Sequence, residues 1–424
     1  MSATGVDQNR MTAMQWRVLA LLTFSVFINY IDRGNLSVAA RQLSDELGID
    51  KTQLGLLHSA FFWTYALMQF VAGWVVDRTN VKWTYGAAFL IWSLATAATG
   101  WVNGFVILFL FRLLLGVGES VAYPSYSKVV AANYSERHRG VANALIDAGS
   151  KCGPALANLF GALFVAYYGW RALFIVLGFG SLIWIVPWAI WGPKDKPLAV
   201  ALRTDAPTMA EIAAKRQAWG TFLGLFCGNY AWYFLLTWLP YYLETYRGFS
   251  KGKLALLGAL PFFAIAASST LSGYVSDHLI AKGYPPTRVR IGFIVTGLLL
   301  GTIMLPAAIV QDETTAIVLL VTASAFFGFF SANMWAVTQT LAGPTAAGKW
   351  TGMQNGIGNF SGVVCPTLSG YLADHTGSFV WSFAVVAGVL TLGAFSFGVL
   401  VREVKPIQWP RHGSSTEAPA IAAR

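Results

Sequence analysis

The stretch WRVLALLTFSVFINYIDRGNLSVAA, residues 16–40, decides the reading of this chain. About 20 apolar residues suffice to cross a hydrocarbon core of roughly 30 Å. This run is long enough, yet it carries Asp32 and Arg33 inside it. Ionised side chains at that depth are costly and are kept for a function or a partner. The run outlasts the apolar core of a cleavable signal and shows no small-residue cleavage site, so it reads as a retained first span.

Eleven further apolar stretches follow, near 53–76, 84–101, 104–127, 140–166, 172–191, 218–243, 253–276, 289–309, 315–341, 351–373 and 379–401, separated by Gly, Pro and charged punctuation. The 424 residues are 56% hydrophobic and 11% charged, where a soluble domain has roughly a quarter of its residues charged. A water-soluble enzyme is excluded, and twelve spans leave little chain for a domain outside the bilayer. The expected fold is an all-α integral membrane protein of twelve transmembrane helices. The connection 192–217 is polar, contains Pro193, Pro197 and Pro207, and divides six spans (1–191) from six (218–402), with a tail at 403–424.

The net charge of +10 is not gathered on one face, as nucleic-acid binding would require. It follows topology instead. Twenty of the 29 basic residues fall on the side of the termini. Six (Arg41, Lys51, Arg171, Arg247, Lys251 and Lys253) fall on the other, and Arg33, Arg112 and Lys151 lie within spans. The positive-inside bias places both termini in the cytoplasm. Cys152, Cys227 and Cys365 lie in apolar blocks without metal or disulfide spacing and read as small packing residues. Trp101, Trp170 and Trp381 lie near span ends, as in an interfacial aromatic belt. The five histidines, His58 among them, lie at span edges, in loops or in the tail, with no pair at metal spacing. No metal, cofactor or catalytic constellation is expected, and the chain reads as a monomer that is not an enzyme.

The two halves echo each other. Gly73 and Asp77-Arg78 close the second span, and Gly273 and Asp277 close the eighth, each with three residues between Gly and Asp. Related halves of this kind are a transporter architecture with the substrate site at mid-membrane between them. Gly73 to Lys82, with Asn80 where a Gly is usual, resembles the loop signature of the major facilitator superfamily. That resemblance implies two pseudo-symmetric six-helix bundles alternating access, with Asp77, Arg78, Lys82 and Asp277 as gating elements.

A narrower resemblance is to the anion:cation symporter family, which includes bacterial sugar-acid transporters and the sialin and vesicular glutamate transporter branch. It rests on Asn29-Tyr30-Ile31-Asp32-Arg33-Gly34-Asn35, on Phe111-Arg112 leading to Gly118-Glu119, on Glu136 to Gly140, on Asn229-Tyr230 with Trp238 and Pro240, on Ala332 to Trp335, and on Gln354-Asn355-Gly356 with Ser361 to Pro366. In that family the residue matching Arg33 binds the substrate carboxylate, and those matching Asp32 and Glu119 couple protons. Ser150 stands where sugar-acid members have a polar substrate contact, often Gln.

Six ionisable residues lie deep: Asp32, Arg33, Arg112, Glu119, Asp147 and Lys151, three of each sign. An empty cavity is then neutral; adding a proton to a carboxylate leaves +1, and a carboxylate substrate restores neutrality. Arg33 offers a planar fork suited to a carboxylate, or it pairs permanently with a neighbouring helix. Asp32, about 100° around the helix, is available to titrate. Arg112 and Glu119 are two turns apart on one face, a rise of about 10 Å, and read as neighbours on a stripe; Glu119 is either a proton site or a fixed partner of a cation. Asp147 and Lys151, at i and i+4, either pair with each other or leave Lys151 for a second anionic group. Tyr30, Tyr65, Asn229, Tyr230, Trp335, Asn355, Asn359 and Ser361 complete the expected cavity. The reading is proton-coupled import of a small organic anion, a sugar acid by resemblance, across a bacterial inner membrane. A sodium-coupled or facilitative carrier stands as the alternative, and a drug/proton antiporter fits three buried cations less well.

Overall fold

Thr12 and Asp50 each accept the amide of the residue three positions on, while Gln15 and Gln53 reach back to them, so capping boxes start the first two helices. The computed structural model describes residues 11–134, 136–193 and 207–409. Among these no strand occurs, and the helices form twelve traverses. They are α1 (Ala13–Leu47), α2 (Lys51–Arg78), α3 (Val81–Thr99), α4 (Phe105–Ser120 continued by Ala122–Asn133), α5 (136–168) and α6 (170–191). The second set is α7 (Arg216–Thr245), α8 (Lys251–Leu257 with Leu260–Ala281), α9 (Pro286–Gly301 with Met304–Ile309), α10 (313–342), α11 (344–376) and α12 (Val380–Phe395 with Ser396–Val401). At Gly169 (φ 79°) and Gly343 (φ 64°) the chain reverses through the left-handed region, so α5 passes into α6 and α10 into α11 without a loop.

The apolar pattern stopped at 127 in the fourth span and began at 351 in the eleventh. The helices run on to Asn133 and start after Gly343, because helical hydrogen bonding continues into polar end turns. Among the described residues eight segments are long and apolar enough to cross a membrane, one of them, Ala148–Trp191, running from the later part of α5 through α6. Pro154 inside α5 is followed by a π-turn over Ala157–Gly161, where the Asn158 amide donates to the Pro154 carbonyl at 2.9 Å.

The traverses form two six-helix bundles. Close approach within them depends on small residues: a Cβ on Gly116 of α4 would lie 2.3 Å from the Phe61 carbonyl of α2, and one on Gly178 of α6 would lie 2.3 Å from the Ala97 nitrogen of α3. The bundles meet along α2 and α11, α1 and α7, and α5 and α8. Between them Ser37 donates to the Leu236 carbonyl at 2.6 Å, Ser59 shares a 2.6 Å hydrogen bond with Thr367, and Arg41 reaches Glu244. These contacts lie in the half remote from the termini, called here the distal half. Residues 402–409 return along the proximal face, where the Ile407 amide and the Trp409 indole donate to the Leu341 and Ala342 carbonyls.

Two expectations are corrected. Cys152 is exposed on α5, while Cys227 and Cys365 are buried as expected. Trp101 and Trp381 are exposed, but Trp170 is fully buried, because its indole donates to Glu46 at 2.6 Å and draws the ring onto the end of α1. Arg171 completes that staple, donating to Glu46, to the Gly100 and Val102 carbonyls and to Asn103. The Trp170 and Arg171 donors hold the Glu46 carboxylate below the ordinary glutamate range. Its contribution is therefore complete at neutral pH and is lost as pH falls through that lowered value. Arg171→Ala is expected to lower stability by about 1–2 kcal/mol at pH 7, with a smaller difference from wild type below pH ~4, as read by thermal melts of the purified protein.

Candidate functional site

Helix α1 carries Asp32 and Arg33 into the middle of the first bundle, where both are almost completely buried. A guanidinium there needs a counter-charge, and α4 supplies it: the Arg33 Nε donates to Glu119 Oε2 at 2.8 Å. The rings of Tyr30, Phe61 and Tyr65 surround the guanidinium with centroids 4.7, 4.8 and 4.5 Å away, adding cation–π attraction in a desolvated setting. Arg112, two turns before Glu119, points elsewhere. It donates to the Leu57 carbonyl at 3.4 Å and lies 5.5 Å from the Phe61 ring. In this structure Glu119 pairs with Arg33 and not with Arg112.

Asp32, Arg33, Arg112 and Glu119 sum to zero charge, all within one bundle. The cluster nevertheless keeps unused hydrogen-bonding capacity: Arg33 Nη2 is buried without a hydrogen-bond partner, while Asn29 stands beside Glu119 and Thr96 beside Asp32. Asp32 accepts from the Asn35 amide at 3.3 Å. Buried polar atoms are ordinarily satisfied, so the unpaired Arg33 Nη2 stands out in this cluster.

The second bundle faces this cluster with neutral groups. The Tyr233 hydroxyl donates to Asn359 Oδ1, the Asn359 amide donates to the Asn355 carbonyl at 2.9 Å, and the Asn355 amide reaches across to Gln69 of α2 at 3.4 Å. Tyr233 packs on Phe62 with centroids 4.3 Å apart and interacts electrostatically with Arg33. Ser361, fully buried, donates to the Gly358 carbonyl of its own helix. Tyr230 is buried beside Cys365 and Ser369. Asn229 lies against Gly358, and Trp335 packs half-buried against the core. Ser150 is buried, and Lys151 extends from α5 to the Trp232 ring of α7, 5.6 Å away.

The side chains of Asp77, Arg78 and Asp147 lie outside the described residues. Lys82 lies by Trp83 at 5.5 Å. Asp277 is an ion-pair partner of Arg290, which also donates to Ser276 at 2.7 Å and Asn333 at 3.0 Å, so it ties α8, α9 and α10 within one bundle. Sequence reasoning missed Tyr233, Gln69 and His58. Tyr233 stands at i+4 from Asn229, on the same helix face, which was a usable signal. His58, two turns from the start of α2, is buried 5.9 Å from Trp238, with neither ring nitrogen hydrogen-bonded. Arg33→Ala leaves Glu119 buried without its cation and is expected to cost roughly 3–5 kcal/mol. Adding Glu119→Gln should recover part of that loss, as a double-mutant cycle of thermal unfolding would show.

Comparison with known proteins agrees with this architecture. Residues 22–364 match the Major Facilitator Superfamily. A probable sulfoacetate transporter of Cupriavidus necator is 34% identical over 399 residues, covering 89% of this chain and 92% of the relative. The D-galactonate transporter of Escherichia coli O6:H1 is 30% identical, covering 93% and 97%, and the hexuronate transporter of Bacillus subtilis 29%, covering 95% and 97%. A bacterial homologue of the human lysosomal transporter Spinster, solved inward-facing and unoccupied, superposes with a TM-score of 0.80 at 18% identity, covering 93% of this chain and 98% of that one. The chain belongs to the Major Facilitator Superfamily, a family of membrane transporters and not of enzymes.

Proposed function

We propose that this transporter carries a small organic anion into the cell together with protons, by alternating access around Arg33. The observation that carries the reading is the Arg33–Glu119 pair at 2.8 Å inside a neutral cluster that retains the unpaired Arg33 Nη2. A proton on Glu119 removes the counter-charge of Arg33 and releases its Nε. The guanidinium then presents two N–H groups to a carboxylate, the bidentate geometry it suits best. The anion restores neutrality, so the loaded cluster is again free of uncompensated charge. Asp32, beside Arg33 and hydrogen-bonded by Asn35, is the second proton carrier; a proton there adds one positive charge, which a second anionic group on the substrate balances. Loss of protons on the other side re-forms the pair and expels the anion.

The wall of Tyr233, Asn355 and Asn359 supplies neutral donors and acceptors for substrate hydroxyls, and Lys151 and Ser150 of α5 are assigned to the same substrate site. The substrate class is a sugar acid, supported by the galactonate and hexuronate relatives; sulfoacetate, named for the relative at 34% identity, is the second reading because it also carries a carboxylate. The positive-inside bias orients both termini to the cytoplasm of a bacterial inner membrane, so the distal half is the outer one, and the working unit is a monomer.

Purified protein in liposomes is expected to accumulate a labelled aldonate, hexuronate, aldarate or sulfoacetate when the outside is acidic. Glu119→Gln should retain exchange at equal pH and lose accumulation against the gradient. Accumulation driven by sodium at equal pH, or full gradient-driven accumulation by Glu119→Gln, would overturn proton coupling.

A further inference from the structure

The four amides at the start of a helix have no partner inside it. In α2 the cap residue Asp50 takes the Gln53 amide, and two others are satisfied from the opposite bundle. Asp374, in the last turn of α11, accepts from the Lys51 amide at 3.3 Å and from both the amide and the hydroxyl of Thr52. The Lys51 ammonium lies 3.5 Å from the same carboxylate. One carboxylate of the second bundle therefore holds one turn of the first by three charge-assisted hydrogen bonds and an ion pair, with its charge placed at a helix N-terminus.

The backbone is shaped for this reach. One turn before Asp374, Gly370 rests on the Lys51 carbonyl, where a Cβ would come within 2.3 Å; one turn further along α2, a Cβ on Gly55 would lie 2.5 Å from the Pro366 carbonyl. A second ion pair across the same rim is weaker. Arg41 stands 3.8 Å from Glu244 and is 45% exposed, while Glu244 is held at 2.7 Å by Lys251 of its own bundle. Exposed pairs of that kind contribute little.

We propose that Asp374 is the latch of the distal half: its capture of the Lys51–Thr52 turn holds α2 and α11 together, and its release is the step that opens this side to the substrate. The transport reading supplies only the identity of the side that opens. The latch itself is a contact between bundles and stands or falls separately.

Ser59 lies on the same seam two turns along α2, bonded to Thr367, and reports on its opening. Ser59→Cys, in a chain with Cys152, Cys227 and Cys365 replaced by alanine, is labelled with a membrane-impermeant maleimide added outside right-side-out vesicles. Asp374→Asn is expected to speed labelling roughly tenfold, Arg41→Ala less than about twofold, and Asp374→Glu is expected to restore part of the protection. Thr52→Val, which removes one of the three donors, should shift the rate the same way by a smaller factor and serves where Asp374→Asn does not fold. Labelling unchanged by both Asp374→Asn and Thr52→Val overturns the latch. Accelerated labelling only in inside-out vesicles supports the latch and overturns the orientation proposed above.

Discussion

A guanidinium in the middle of a membrane protein must be neutralised within a few ångströms, and much of this structure follows from meeting that demand at Arg33. Glu119 provides the charge, and Tyr30, Phe61 and Tyr65 provide ring faces around the rest of the group. To bring them together α1, α2 and α4 must lie side by side at matched depth. Gly116 permits this, because any side chain there would meet the Phe61 backbone. The same Phe61 ring lies near Arg112, so two cations share one aromatic surface while Asp32 completes the charge balance.

The halves of the molecule divide the work unequally. Asp32, Arg33, Arg112 and Glu119 belong to the first bundle, and the second faces them with Tyr233, Asn355 and Asn359, whose hydrogen bonds are largely satisfied among themselves. Such a wall can slide over a charged cluster without stranding an ion in a low dielectric, since neutral groups lose far less on separation than charged ones. The contacts of Arg41 with Glu244 and of Lys51 with Asp374 lie at the rim, where water can replace the lost partner. This arrangement supports a cycle in which charge stays put and the neutral half moves.

How much of this was legible depended on the kind of signal. Asp32, Arg33, Arg112 and Glu119 stood out because an ionised residue within an apolar run is conspicuous by its cost alone. Tyr233 and His58 carried no such mark, since an aromatic in a membrane helix serves equally well in the core, toward lipid or at a site. Gln69 sits where α2 meets α11, and its neighbour Asn355 is nearly 300 positions away, a pairing no local pattern announces. Trp170 looked like part of an interfacial belt from its place near a span end; the acceptor that buries it, Glu46, belongs to a different helix. Lys51 was counted as one cation on the outer side, and its part in a contact with Asp374 was invisible until α2 and α11 were seen side by side.

By itself the sequence determined a membrane protein of twelve helices and which ionisable residues fall within its apolar runs, because these depend on composition and on a rise of about 1.5 Å per residue along one helix. Only the tertiary structure decided who pairs with whom: Glu119 with Arg33 and not with Arg112 on its own helix, Asp374 with the first turn of α2, Tyr233 with Asn359. Helical periodicity sets where a side chain sits on its own cylinder. Its partner depends on how neighbouring cylinders are rotated and how closely small residues let them approach, and that is settled only when all twelve pack together.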